Sequence, residues 1–121
     1  MKKILLVDDD PMTRKIISEF LKEFDFDIIS CEDGKCAYDA LTSQNGIDLI
    51  ITDILMPEMD GWQLIKKTRD SDQYRNTPVI VITGANEIDN ISTLFELGGI
   101  WFFNKPFQKE KLVEIVNSLM N

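Results

Sequence analysis

The stretch Lys3-Ile4-Leu5-Leu6-Val7-Asp8-Asp9-Asp10-Pro11 sets four consecutive aliphatic residues directly before three aspartates and a proline. An apolar run this short, bounded by turn residues, reads as a β-strand buried on both faces, and such strands belong to parallel sheets covered by helices. Asp10 suits the N-cap of a following helix and Pro11 its first residue. Ile16, Ile17, Phe20, Leu21 and Phe24 then supply an apolar face at helical spacing.

The pattern repeats to the end of the chain. Asp27 to Cys31 reads as a second strand, and Gly34 opens a helix with Ala37, Ala40 and Leu41 inward that closes near Asn45-Gly46. Asp48 to Thr52 is a third strand, followed by Asp53 and a loop from Ile54 to Asp60 that holds Met56-Pro57. After Gly61, Trp62, Leu64 and Ile65 begin a helix, with Trp62 and Ile65 on its apolar face. Pro78 to Ile82 is the fourth strand. A fourth helix carries Ile88, Ile91, Leu94, Phe95 and Leu97 and stops at Gly98-Gly99. Ile100 to Asn104 is the fifth strand, and the fifth helix aligns Leu112, Ile115, Val116 and Leu119. Five strands alternating with five helices predict an α/β fold, a doubly wound five-stranded parallel sheet of strand order 2-1-3-4-5, flavodoxin-like (βα)5. A piece of a larger barrel alternates in the same way, but the short, capped ends favour the open sheet. With no linker or repeat, residues 1–121 are expected to form one domain.

Composition narrows the function classes. Hydrophobic content of 44% and charged content of 28% are those of a globular protein. No apolar run approaches the roughly 18 residues of a membrane span, and no signal peptide is legible, so a cytoplasmic location is expected. The net charge of -8 argues against direct nucleic-acid binding, which rests on Lys and Arg neutralising phosphates. Cys31 and Cys36 lack C-x-x-C spacing and are expected to be reduced, partly buried thiols. The chain has no histidine, which removes imidazole acid–base catalysis, imidazole metal sites and any phosphohistidine carrier role.

In an open parallel sheet the carboxyl ends of the strands share one crevice, where ligands bind. Asp8, Asp9 and Asp10 follow the first strand and Asp53 the third, while Thr83 and Lys105 lie at the ends of the fourth and fifth. Neighbouring strands are about 4.8 Å apart, and carboxylates about 5 Å apart repel by roughly 3 kcal/mol at an effective dielectric of about 20. Mg²⁺ suits such a place, since it takes one or two carboxylates plus waters and phosphate oxygens. On this reading Asp9 is the leading ligand and Asp8 a ligand directly or through water. Asp53 is either ligand or nucleophile, because a carboxylate can attack phosphorus to give an aspartyl phosphate. Lys105 and Thr83 would offset charge on the phosphoryl oxygens. Asp10 is better read as a helix cap. Taken singly, Thr83 is an ordinary strand residue and Lys105 a surface lysine.

Taken together, these residues resemble the response-regulator receiver family over essentially the whole chain. Asp53-Ile54-Leu55-Met56-Pro57-Glu58-Met59-Asp60-Gly61 matches the family's D-x-x-M-P-x-x-D-G signature, and Lys105-Pro106-Phe107 its closing K-P-F. The resemblance implies that Asp53 is the phosphoacceptor and that Asp8 and Asp9 are the Mg²⁺-binding pair, joined by the Leu55 backbone carbonyl. It makes Lys105 the lysine that contacts the phosphoryl group, with a cis bond to Pro106, Thr83 the switch hydroxyl and Phe102 the switch aromatic. It further implies two-component signal transduction. A sensor histidine kinase or phosphotransfer protein would supply the phosphoryl group, and a downstream protein would meet a face formed by the fourth helix, fifth strand and fifth helix. Such a domain catalyses only its own phosphorylation and dephosphorylation.

Two departures from the family pattern stand out. Phe102 replaces the commoner tyrosine, and Ile100-Trp101 sets an apolar pair where small or acidic residues are frequent. That pair reads either as a docking or dimer patch or as core packing of an edge strand. Leu55 and Ala85 are apolar at positions that tune phosphoryl lifetime in this family. The alternative function is a small Mg²⁺-dependent phosphatase with an aspartyl nucleophile. That class places D-x-D-x-[TV] after its first strand, whereas Asp8-Asp9-Asp10-Pro11-Met12 ends in Met12. A flavodoxin-type binding module is disfavoured because aspartates stand where a glycine-rich phosphate loop would.

Overall fold

The computed structural model describes residues 2–43, 46–54, 60–84 and 98–120. Its elements are β1 (Lys2–Val7), α1 (Pro11–Phe20), β2 (Phe26–Cys31), α2 (Gly34–Ser43), β3 (Ile47–Thr52), α3 (Gly61–Asp70), β4 (Val79–Thr83), β5 (Ile100–Asn104) and the C-terminal helix, here α4 (Lys109–Met120). The sheet runs β2-β1-β3-β4-β5, and every neighbouring pair is parallel. The doubly wound order expected from the alternation is the order found. The expected fourth helix, Ile88 to Leu97, lies outside the described residues.

Alternation along each strand splits the core into two layers, because successive side chains point to opposite faces. Leu5, Val7, Ile50, Val79, Val81 and Ile100 face α2 and α3, meeting Ala37, Leu41, Leu64 and Ile65. Ile4, Leu6, Leu49, Ile51, Ile80 and Ile82 face α1 and α4, meeting Ile17, Leu21, Leu112, Val116 and Met120. β1, β3 and β4 sit in the middle of the sheet and are covered on both sides, which is why they read as unbroken aliphatic runs. The register of β1 on β3 slips between Lys3 and Ile4. At the slip the Asp48 carboxylate accepts the Lys3 backbone N–H at 2.9 Å.

The ends of the elements follow local chemistry. Asp10 caps α1 by accepting the Met12 N–H at 3.0 Å, and Pro11 takes the first helical position, as expected. Asp60 and Gln63 form a reciprocal capping box at α3, so that helix starts at Gly61 rather than Trp62. Leu64 and Ile65 are its buried apolar side chains, with Trp62 packed beside them only partly covered. β4 is shifted one residue from the expected Pro78–Ile82. Pro78 has no N–H for the ladder, although its carbonyl accepts the Ile50 N–H at 3.1 Å, and Thr83 pairs with Asn104 instead.

One expectation about side chains is corrected and one open choice is decided. Cys31 and Cys36 form a disulfide rather than two reduced thiols. Only Glu32 and Asp33 separate β2 from α2, so the chain doubles back and sets the two Cα atoms 5.6 Å apart. Ile100 and Trp101 do not make one apolar patch. Ile100 packs into the α2–α3 layer and Trp101 against the α1–α4 layer, because adjacent strand residues face opposite ways, so the core-packing reading is the one found.

Candidate functional site

The parallel register sets Val7 level with both Cys31 and Thr52. The residues that follow the strands are held by further ladder-like bonds. Asp8 N–H donates to the Cys31 carbonyl (3.1 Å), Asp53 N–H to the Val7 carbonyl (3.0 Å) and Lys105 N–H to the Thr83 carbonyl (2.9 Å). Backbone geometry therefore fixes where Asp8, Asp53 and Lys105 begin, and all three turn into the crevice at the carboxyl ends of the strands.

Their side chains converge. The Lys105 Nζ lies 2.8 Å from Asp53 Oδ2 and 3.1 Å from Asp8 Oδ2. The other oxygens are held by backbone: Asp53 Oδ1 accepts the Ile54 N–H at 2.6 Å, and Asp8 Oδ1 accepts the Asp10 N–H at 2.9 Å. Asp8 and Asp53 are only 2% and 4% exposed, whereas Asp9 is open to solvent. One carboxylate oxygen from each of Asp8, Asp9 and Asp53 can be chosen such that all three lie within 4.8 Å of one another.

Burial dominates the electrostatics. Desolvation pushes the Asp53 carboxyl up to about 6, with the Asp8 charge adding to the rise and Lys105 and the Ile54 N–H opposing it. Asp8 is also raised, again chiefly by burial, against the Asp10 N–H and Lys105. For Lys105 the largest single influence, burial, acts downward, but its contacts with Asp53 and Asp8 outweigh it and the ammonium is held above its ordinary value. Three carboxylates against one ammonium leave two negative charges when all are ionised. An oxygen-rich donor set with that surplus fits a small divalent cation such as Mg²⁺.

The remaining sequence-selected residues fall around this group. Thr83 is buried at the end of β4, and the pairing of Thr52 with Val81 puts it one residue beyond the level of Asp53. Phe102 is half-buried on β5, in the α2–α3 layer. The Lys105–Pro106 peptide is cis, as the resemblance implies. Asp10 is the α1 cap, its Oδ2 also accepting the Thr13 hydroxyl at 2.9 Å. The hydrogen bonds from Thr13 and the Met12 N–H hold its carboxyl below the ordinary aspartate range. Leu55, with its backbone carbonyl, and Ala85 lie outside the described residues.

Gly61 is a positioning residue that a list of chemically active side chains passes over. Its N–H donates to the Ile54 carbonyl at 2.7 Å, and a Cβ there would overlap the Asp53 carbonyl oxygen and stand 2.9 Å from Ile54 Cα. The only signal for it in the sequence is its place at the close of the Asp53–Gly61 signature.

This fold and site define the receiver class of two-component signalling domains, and comparison with known proteins agrees. The response regulator receiver domain model matches residues 4–117, and the chain belongs to that family. It is 32% identical over 117 residues to the two-component response regulator ORR5 of Oryza sativa subsp. japonica, covering 97% of this chain and 87% of that protein. Among solved structures, the receiver domain of Francisella response regulator 1452 superposes with a TM-score of 0.84 at 32% identity, covering 98% of this chain and 96% of that one. The chemotaxis response regulator CheY4 of Vibrio cholerae does so with a TM-score of 0.87 at 28% identity, covering 98% of each. The family assignment favours the response-regulator reading over the phosphatase alternative. Among the described residues no helix is long and apolar enough to cross a membrane.

Proposed function

We propose that Asp53 accepts a phosphoryl group from a phosphohistidine of a sensor histidine kinase or phosphotransfer protein. The observation that carries this reading is the shared contact of Lys105 Nζ with Asp53 and Asp8 at the strand ends of a receiver fold. In the transfer, an Asp53 carboxylate oxygen forms a bond to phosphorus while the phosphorus–nitrogen bond of the donor breaks. The electron pair of that bond stays on the donor imidazole, so the product is an acyl phosphate and a free histidine. The Ile54 N–H orients the carboxylate through Oδ1, and the Lys105 ammonium meets charge on the phosphoryl oxygens.

Asp8, Asp9 and Asp53 would hold Mg²⁺, with the Leu55 carbonyl as a further ligand. When bound, the ion draws charge from the transferring phosphoryl oxygens and lowers the repulsion between the carboxylates. Signalling would then follow from Thr83 turning toward the phosphoryl group and Phe102 repacking, a shift between two populated arrangements. The output face would be β5, α4 and the predicted helix at 88–97, offered to a downstream protein. Phe102 has no hydroxyl, so the readout there is packing alone. On this reading residues 1–121 act as one receiver domain in the cytoplasm, without direct nucleic-acid contact.

The test is incubation with acetyl phosphate and Mg²⁺, read by intact mass. Wild type should gain one phosphoryl group and Asp53→Asn none. Incorporation into Asp53→Asn at the wild-type level would assign the acceptor elsewhere.

A further inference from the structure

We propose that Cys31 and Cys36 form a reversible redox site that exchanges with low-molecular-weight thiols and disulfides and controls how firmly Asp8 is held. Nothing in the phosphotransfer chemistry uses this pair, and the inference stands apart from the reading given above.

The geometry is that of a working dithiol couple. The Cα atoms are 5.6 Å apart, within the span a disulfide bridges without moving backbone. The two residues differ sharply in exposure. Cys31 ends β2 and is 3% exposed in the α2–α3 core layer, whereas Cys36 is exposed in the first turn of α2. An incoming disulfide can therefore be attacked by Cys36 alone, and the buried Cys31 is placed to resolve the mixed disulfide. The exchange balances. Cys36 thiolate attacks a disulfide such as oxidised glutathione and one glutathione thiol leaves. Cys31 then attacks the Cys36 sulfur and the second glutathione leaves. The protein loses two protons and two electrons, and the oxidant, gaining both, becomes two thiols.

The pair is wired to the acidic crevice through backbone. The Cys31 carbonyl accepts the Asp8 N–H at 3.1 Å, and Cys31 is the residue opposite Val7 in the register. On the other side, the Cys36 N–H donates to Asp33 Oδ1 at 2.8 Å, which ties the cysteine to the turn joining β2 to α2. With the disulfide closed, the end of β2, that turn and the start of α2 form one small covalent ring. With it open, Cys31 is held by strand pairing and packing alone, at an edge strand with a neighbour on one side only. The Asp8 N–H is the first group beyond that edge to feel the difference.

The test uses the full 121-residue chain equilibrated in glutathione buffers, with thiols counted by alkylation and intact mass, and amide hydrogen exchange read at Asp8 by NMR. Two alkylated cysteines in reduced glutathione, none in excess oxidised glutathione, full reversibility, and Asp8 exchange slowed about fivefold in the oxidised form are expected. Cys31→Ser/Cys36→Ser should show the reduced-like rate in both buffers, and Cys36→Ser should leave Cys31 unreactive toward oxidised glutathione. Persistence of two free thiols at a hundredfold excess of oxidised glutathione would overturn the redox site. A disulfide that forms but leaves the Asp8 exchange rate unchanged would overturn its link to the crevice.

Discussion

Asp53 is asked to be both buried and charged, and the conflict shows in its proton affinity. An aspartate that rises from about 3.8 unfolded to about 6 folded binds more protons in the native state between those values, so stability falls as pH climbs from about 4 to about 6. Asp8 shifts the same way and deepens the fall. We expect the metal-free protein to be more stable at pH 4.5 than at pH 7 with respect to this pair. Asp53→Asn should flatten that part of the profile and stabilise the metal-free protein at pH 7 by about 1–3 kcal/mol, at roughly 1.4 kcal/mol per pH unit between the two values, less what Lys105 loses. Urea unfolding at both pH values decides it; equal profiles for the two proteins would remove Asp53 as the cause. Gly61 acts on the same residue from behind. Gly61→Ala should displace the Asp53 backbone and lower acetyl-phosphate labelling at least tenfold while the protein stays folded by circular dichroism. Labelling at the wild-type rate would mean that the loop yields without moving Asp53.

Among the elements, α3 is anchored at both ends by polar groups. Its start is the Asp60–Gln63 capping box, and Asp60→Ala should cost about 1 kcal/mol. Near its end Arg69 turns back to the carbonyls of Thr77 (2.7 Å), Gly98 (3.0 Å) and Gly99 (3.2 Å), pinning the approaches to β4 and β5 with one side chain. Burial lowers its proton affinity, but a guanidinium stays charged throughout the working range. Arg69→Leu should cost about 1–3 kcal/mol, chiefly through the Thr77 and Gly98 carbonyls that lose this donor, since the Gly99 carbonyl keeps the Val79 N–H at 3.0 Å; the loss is seen as a lower urea midpoint at unchanged slope. An unshifted midpoint would show that water replaces the arginine without loss. β1, β3 and β4 were readable because their aliphatic runs are continuous, and the α1 cap because Asp10-Pro11 is a local signal. Arg69 was not readable, since its partners are eight to thirty residues away and are backbone atoms that carry no side-chain signature.

For the molecule as a whole, 21 acidic against 13 basic residues give a net charge of -8, with two of the acids buried side by side. A divalent ion that binds only the folded crevice should raise the unfolding midpoint by mass action. MgCl₂ is expected to stabilise wild type beyond NaCl of equal ionic strength, and Asp9→Ala should erase most of the difference in a thermal melt. Equal effects of the two salts would reduce the ion's role to screening. The amino-acid sequence by itself determined the alternation of the described elements, the sheet order that follows from it, and the end residue of every strand but β4, because these depend on local periodicity and on the few topologies that right-handed crossovers allow. Only the tertiary structure decided that Lys105 reaches Asp8 and Asp53 at once, that Cys31 and Cys36 meet, and which helical layer each of Ile100 and Trp101 enters. Those outcomes are set by strand register and by which side of the sheet each side chain enters, quantities that exist only once distant segments have packed.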